Sequence, residues 1–320
     1  MRFATRDNGT ADGELLVVSA DGTRGLSAGP EWPNLLGALD RWEAALPALG
    51  ALADRVAVGQ GADLDPAELR APLPRTWQWL DGSAFPTHGE LMQQAFNLPP
   101  IETDKPLMYQ GMSHEFLAPA AEVPFPSAAD GIDFEGEFGV VTGPVPMGCP
   151  ADEALAHVRL VVLINDWSLR TIAPIEMKTG FGWVQAKPAC SVAPFAVTPD
   201  ELGEAWRDGR VCLSLTVEVN GAWFGHPNGQ AMAYGFHELI AHAAATRSLP
   251  AGTIIGSGTV SNPEHAVVGS TCISERRAIE RIAHGEFRTP FLGDGDRVAM
   301  QVGKDAAFFG RIDQRVKVIG

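Results

Sequence analysis

Gly131-Ile-Asp-Phe-Glu-Gly-Glu-Phe-Gly-Val140 is the stretch on which the reading of this chain turns. Ile132, Phe134 and Phe138 alternate with Asp133, Glu135 and Glu137. A period of two predicts a strand over 132–141 with one apolar face and one face carrying three carboxylates. Residues i and i+2 of a strand stand roughly 6.5 to 7 Å apart, so Glu135 and Glu137 can converge on one hard cation that takes oxygen ligands. A solvated strand face is the competing reading of the same pattern.

The next informative stretch is Leu160-Val-Val-Leu-Ile-Asn-Asp-Trp-Ser-Leu-Arg170, an apolar run that stops abruptly at Asn165-Asp166. An uninterrupted apolar strand is buried, and polar residues that close it often line a site. Asp166 is therefore a candidate third ligand, with Asn165 and Arg170 placed to orient the carboxylates. An ordinary turn after a strand is the alternative.

Outward from these segments, the chain after Pro126 reads as strands separated by Gly, Pro and Asn turns: 160–164, 211–219, 253–255, 297–302 and 307–318. Asn220-Gly221 is a type I′ hairpin signal, and 151–157 and 236–245 read as helices. At the amino end, 15–19 and 23–27 flank Asp21-Gly22 as a hairpin. Leu35, Leu36, Leu39, Trp42, Leu46, Leu49 and Leu52 then recur at helical spacing, with Pro47 and Gly50 expected to break or kink the helix. Asp65-Pro66 and Ala71-Pro72-Leu73-Pro74 make a Pro-rich crossing that suggests a small first domain over 1–72 and a larger one over 73–320. The expected class is mainly β with α, an α+β fold.

The 320 residues carry 24 Lys and Arg against 39 Asp and Glu, a formal charge of −15, with no basic cluster. Nucleic acid and anionic membrane are therefore not expected partners. Cys149, Cys190, Cys212 and Cys272 form no CxxC pair, so reduced cytoplasmic thiols are expected rather than zinc ligands or disulfides. The amino terminus lacks the apolar core of a signal peptide, and no run approaches the roughly 18 apolar residues of a membrane span. A cytoplasmic location is the expectation. Neither GxSxG nor GxxxxGK[ST] occurs, and Gly256-Ser-Gly258 lacks the third glycine of a dinucleotide fingerprint.

Together, GIDFEGEFGVV over 131–141 and VLINDWSLRT over 162–171 resemble the fumarylacetoacetate hydrolase superfamily, whose metal site is an ExE strand plus an Asp in an NDxSxR motif. The resemblance extends to Lys187 in Gln-Ala-Lys-Pro and to Gly256-Ser-Gly-Thr259, and covers roughly Trp79 to the carboxyl terminus. The first seventy residues match loosely. In Trp79-Leu-Asp-Gly-Ser-Ala-Phe-Pro-Thr-His88, the seven-residue step from Asp81 to His88 is that of the long-chain fumarylacetoacetase branch.

The resemblance implies a mixed β-roll catalytic domain, a small SH3-like β domain before it, and a homodimer. It implies a divalent metal, Mg²⁺ first and Mn²⁺ or Ca²⁺ otherwise, held by Asp81, Glu135, Glu137 and Asp166. His88 would be the general base and Lys187 the cation beside a developing enolate, while Tyr109, Thr259 and Arg170 would contact a small oxo-acid substrate. The implied activity is C–C cleavage of an acylpyruvate or β-diketo acid. Hydration, decarboxylation or isomerisation of a 2-oxo acid is the alternative, and a non-catalytic oxo-acid binding protein the rival. Asn97 stands where the family carries a substrate-binding Arg, Ala173 and Met177 where it carries a Gln and a Tyr, Gln110 where it carries the His of a Tyr-His-Gly segment, and Ile273 where it carries the carboxylate that orients the base. Glu275 is the nearest acid, on the same face as residue 273 if both are in a strand.

Overall fold

The computed structural model describes residues 1–100 and 103–320 of the chain. Two sheets organise it. The larger runs through Arg24–Ser27, Glu14–Val18, Arg2–Arg6, Ala196–Val197, Val158–Asn165, Gly136–Thr142, Ile254–Gly256, Trp79–Gly82 and Met108–Gly111. The smaller has the order Ala222–Gly225, Leu215–Val219, Arg297–Val302, Arg311–Val318 and Glu122–Phe125. Sheets with helices packed around them make this an α+β fold. No described helix is long and apolar enough to cross a membrane.

The amino-terminal hairpin forms as its Asp-Gly turn predicts, with Val17 opposite Leu26. Its partner Arg2–Arg6 pairs with Ala196–Val197, so this region continues the large sheet. The apolar stripe after it buries Leu35, Leu39, Trp42 and Leu49 against Phe3, Leu15 and Val17, and against Leu160 and Val162. The helix breaks between Asp40 and Trp42 rather than at Pro47 or Gly50, which lie inside Trp42–Ala57. Pro47 faces solvent. The carbonyl one turn earlier that loses its N–H partner can therefore be hydrated, which lowers the cost of the proline.

A second core, with Phe134, Phe138, Leu163, Trp167, Phe236 and Leu239, lies under the acid stretch. That stretch is two strands rather than one. Ile132–Asp133 pairs with Ser168–Leu169, and Gly136–Thr142 joins the large sheet. The interruption has a local cause: the N–H groups of Phe134 and Glu135 donate to the side chains of Asp133 (2.8 Å) and Asn165 (3.1 Å) instead of to a neighbouring strand. Elsewhere the predicted elements shorten at their ends. The 211–219 run splits into a small hairpin at Arg210–Val211 and the strand Leu215–Val219, and 307–318 begins only at Arg311, after a turn at Gly310 with φ +75°. Helix 151–157 tightens to 3₁₀ geometry at Leu155–His157. Asn220 and Gly221 have φ of +53° and +78° between the paired Val219 and Ala222, as the hairpin signal requires.

Candidate metal centre and catalytic dyad

Six carboxylates are buried among the described residues, Asp81, Asp133, Glu135, Glu137, Asp166 and Glu275, and all six belong to one site. Burying a charge costs several kcal/mol unless it is paired or coordinated. The way each is satisfied therefore shows what the site is built to hold.

Asp81, Glu137 and Asp166 form the centre. Each offers an oxygen, and these three oxygens lie within 4.8 Å of one another. Sheet register brings two of them together. Gly256 pairs with Asp81 on one side and with Gly139 on the other, two residues along from Glu137, so both carboxylates project from the same face across a position without a side chain. A Cβ on Gly256 would stand 2.4 Å from Asp81 Oδ1 and 3.0 Å from Glu137 Oε2. Asp166 closes the group at the end of the buried strand Val158–Asn165.

Both oxygens of Glu137 are buried without a hydrogen-bond partner among the described residues. Asp81 accepts from the Gly258 N–H at 3.1 Å. Burial, reinforced by the neighbouring carboxylates, pushes Asp81 up to about 8 and Glu137 well above the usual carboxylate range, and burial raises Asp166 as well. Without a cation the group must hold protons. Convergent buried oxygens, with those of Glu137 lacking donors among the described residues, fit a hard divalent cation.

Glu135, expected among the ligands, stands outside this group. Its Oε1 accepts from Arg170 Nη2 at 2.5 Å and its Oε2 from Lys187 Nζ at 2.6 Å. Burial works against ionisation, yet the two cations hold this carboxyl well below the ordinary range. Lys187 also donates to Asp166 Oδ2 at 2.6 Å, which links the ion chain to the centre. Arg170 donates from Nε to Asp133 Oδ2 at 2.8 Å, so its guanidinium is engaged by two carboxylates.

Asp133 is saturated. Besides Arg170 and the Phe134 N–H, it accepts from the N–H groups of Ile273 (2.7 Å) and Ser274 (2.9 Å), the first turn of the helix Ile273–His284. Orphan N–H groups at a helix start favour such an anion. Residues 273 and 275 are consequently helical, and the shared strand face expected for them does not exist. Glu275 is the third residue of that helix, and its Oε2 lies 2.9 Å from His88 Nδ1. His88 sits in the first turn of the helix Pro86–Phe96, which packs against Ile273–His284. Because the buried carboxylate accepts, Nδ1 carries the proton and Nε2 is left as the basic nitrogen.

Tyr109 donates to Asp166 Oδ2 at 2.7 Å. Its ring meets Trp183 edge-on, with centroids 4.8 Å apart. Thr259 is buried in the turn that follows Gly258. Two contributors escaped the sequence reading. Cys190, read from the sequence as a reduced thiol, is buried and donates to Asp166 Oδ1 at 3.0 Å. Trp183 carried one signal, its place four residues before Lys187. Among the departures from the family pattern, Asn97 is exposed and closes the helix Pro86–Phe96 with φ +51°, a left-handed position that suits asparagine. Met177 is 58% exposed, so it lines no closed pocket in the chain as described. A cavity of about 320 Å³ around Trp223, His265 and Arg276 shares no lining residue with the carboxylate centre. All four cysteines are free.

Comparison with known proteins places the chain by family and by fold. Relatives include a 2,4-didehydro-3-deoxy-L-rhamnonate hydrolase of Sphingomonas sp. (strain SKA58), 32% identical over 163 residues, 50% of this chain and 54% of that protein. A fumarylacetoacetase of Caenorhabditis elegans is 29% identical over 209 residues, 57% of this chain and 50% of that one. The chain thus spans about half the length of the curated relatives it matches. Among solved structures, a maleylpyruvate hydrolase of Sphingobium sp. SYK-6, in complex with manganese(II) ion and pyruvate, shares the fold with a TM-score of 0.67 at 18% identity, and each chain is covered over 100% of its length. The family described as fumarylacetoacetase N-terminal domain 2 matches residues 1–75. Residues 78–317 match the family described as fumarylacetoacetate (FAA) hydrolase C-terminal, and the chain belongs to the fumarylacetoacetate hydrolase family.

Proposed function

We propose that this protein is a metal-dependent hydrolase that cleaves a C–C bond in an acylpyruvate or β-diketo acid, a fumarylacetoacetate-like substrate, with the enolate of the smaller oxo acid as leaving group. The observation that carries the reading is the pairing of His88 with the buried Glu275. A base oriented in this way suits activation of water, a task apart from holding a cation.

Asp81, Glu137 and Asp166 would hold the ion, and an all-oxygen set favours Mg²⁺, with Mn²⁺ or Ca²⁺ as alternatives. When bound, such an ion supplies Lewis acidity at the substrate carbonyl and stabilises negative charge that develops there. His88 Nε2 takes a proton from water as the water oxygen bonds to the acyl carbon. Glu275 retains the Nδ1 proton in place and offsets the imidazolium charge. The C–C bond then breaks, its electron pair goes to the oxo-acid fragment as an enolate, and His88 returns the proton to that fragment. The Lys187 ammonium, fixed by Glu135 and Asp166, keeps positive potential next to the developing anion. Tyr109 steadies Asp166, and Thr259 is assigned to the substrate carboxylate. The manganese and pyruvate held by the maleylpyruvate hydrolase of the same fold support an oxo-acid ligand for this site.

The test is turnover of acylpyruvates with Mg²⁺ or Mn²⁺, before and after chelation, in the wild type and in His88→Ala. His88→Ala should lower kcat/KM by about 10²–10⁴-fold and leave cation affinity unchanged. Full hydrolysis by His88→Ala, abolished by chelation, would remove His88 as the base. A second reading, hydration, decarboxylation or isomerisation of a 2-oxo acid by the same centre, is favoured by Asn97, Ala173 and Met177 in place of the family's recognition groups. Product analysis with 2-oxo-4-enoates and oxaloacetate separates these chemistries. Cation-dependent binding of every compound without turnover of any would favour the binding-protein reading. A cytoplasmic homodimer completes the proposal, and sedimentation of the purified chain tests the dimer.

A further inference from the structure

Resting on the oxo-acid reading above, we propose that Trp183 is a specificity-determining residue: its indole N–H donates to a neutral oxygen, keto or hydroxyl, on the part of the substrate distal to the chelating oxo-acid end.

The segment that presents Trp183 is built for a fixed presentation. Gly180 and Gly182, with φ of +73° and +93°, bracket Phe181 in left-handed conformations open to glycine. Beyond Trp183 the chain is held by one carboxylate, because the N–H groups of Val184, Gln185 and Ala186 all donate to Glu176 at 3.1, 3.0 and 3.0 Å. The indole is thereby set against the Tyr109 ring, whose hydroxyl reaches Asp166, and its centroid is 5.6 Å from Lys187 Nζ. Trp183 thus stands one residue removed from the carboxylate centre.

Its Nε1 is buried and has no acceptor among the described residues. A buried N–H left unpaired costs about 1–3 kcal/mol, and buried indoles ordinarily find a partner. Trp32 and Trp79 also lack acceptors, but they are 3% and 0% exposed inside the amino-terminal core. Trp183 is partly exposed and lies against site residues. An acceptor brought by a ligand can reach the neighbourhood of Trp183 and cannot enter that core.

Charge selects the kind of acceptor. Arg170 is held by Asp133 and Glu135, and Lys187 by Glu135 and Asp166. Asn97 replaces the arginine of the family pattern and faces solvent at a helix end. Arg247 bonds to Gln110, which alternates with Tyr109 on its strand and so points to the other face. A second carboxylate on the substrate would therefore meet a neutral indole donor where the family supplies a guanidinium. A keto or hydroxyl oxygen is the matching partner.

The experiment compares Trp183 with Trp183→Phe in the full chain, loaded with Mn²⁺ and carrying His88→Ala so that turnover does not intervene. Calorimetry measures pyruvate, which lacks a distal oxygen, 2,4-dioxopentanoate, which adds a neutral one, and 2-oxoglutarate, which adds a carboxylate. Trp183→Phe should weaken 2,4-dioxopentanoate about fivefold, the scale of one neutral hydrogen bond, and leave pyruvate within about twofold. With Trp183 intact, 2-oxoglutarate should bind no tighter than pyruvate. Equal weakening of pyruvate and 2,4-dioxopentanoate, no weakening of either, or clearly tighter binding of 2-oxoglutarate than of pyruvate each overturns the proposal. Pyruvate binding that ignores Mn²⁺ is a distinct failure, visible before any comparison at residue 183, and overturns the oxo-acid reading on which the proposal rests.

Discussion

Asp133 and Glu137 are four residues apart, both fully buried, and opposite in character. Asp133 is surrounded by donors from Arg170, from its own loop and from the first turn of a helix. Glu137 has none. The protein neutralises one carboxylate itself; the other, without a donor among the described residues, is left to the ion proposed for the centre. Glu135, between them, leans toward Asp133, with both oxygens on cations supplied by the chain. A single alternating stretch therefore divides into an end that holds the structure together and an end proposed to hold a ligand.

Four measurements break or sharpen that division. Asp133→Ala should have the largest effect, since it leaves Arg170 short of a buried partner and uncaps a helix. A loss of about 3–5 kcal/mol in chemical denaturation is expected, and a loss below about 1 kcal/mol would place Asp133 among ordinary surface acids. Glu137→Gln should do the reverse. Mn²⁺ affinity by calorimetry should fall by about 100-fold or more, while the metal-free protein is as stable as the parent or more so, because one buried carboxylate without donors is gone. Comparable destabilisation by both substitutions would erase the distinction.

Gly256→Ala probes the space between the two carboxylates that share a sheet face. The new Cβ meets Asp81 Oδ1 and Trp79 at 2.4 Å, so a cost of about 1–3 kcal/mol is expected, together with weaker Mn²⁺ binding. The last measurement varies pH on the chelated protein and so acts on the carboxylate centre as a whole. Asp81, at about 8 in the fold, stays protonated while the unfolded chain ionises near its ordinary value of 3.8, so the unfolded state binds fewer protons between those limits. Stability should accordingly decline as pH rises from about 4 to about 8, by roughly 1.5 °C in Tm for each kcal/mol lost. Saturating Mn²⁺ should flatten or invert the slope. A chelated Tm that climbs through this window would show that the centre is compensated without a cation.

Much of this was legible in the sequence. Alternation marked the acidic stretch, the abrupt end of an apolar run made Asp166 a candidate, and the family resemblance, through the seven-residue step from Asp81, pointed to His88. Partner choice was not legible. Whether Glu135 or Glu137 faces Lys187 depends on contacts between residues about fifty positions apart, and no period of two or 3.6 encodes that. Glu275 was reached from a false premise, a strand where Cys272 caps a helix: the Cys272 Sγ accepts from the Glu275 N–H at 3.2 Å. A cysteine N-cap is outside the usual set of Ser, Thr, Asp and Asn, and half of the cap comes from Asp133, 140 positions away. Pro47 misled for the opposite reason, since a local rule gave way to an exposed helix face.

His88 and Glu275 stand on two helices packed on each other, whereas Asp81 and Glu137 lie on strands of one sheet and Asp166 follows the end of a third strand of that sheet. The proposed proton traffic and ion coordination would thus have separate scaffolds, joined through Asp133. Residues on either helix can be redrawn, to move a base or delete it, without altering the register that sets the ion's oxygens. On the proposed reading, the acid-base half of the site could therefore change while the ion-holding half keeps its geometry.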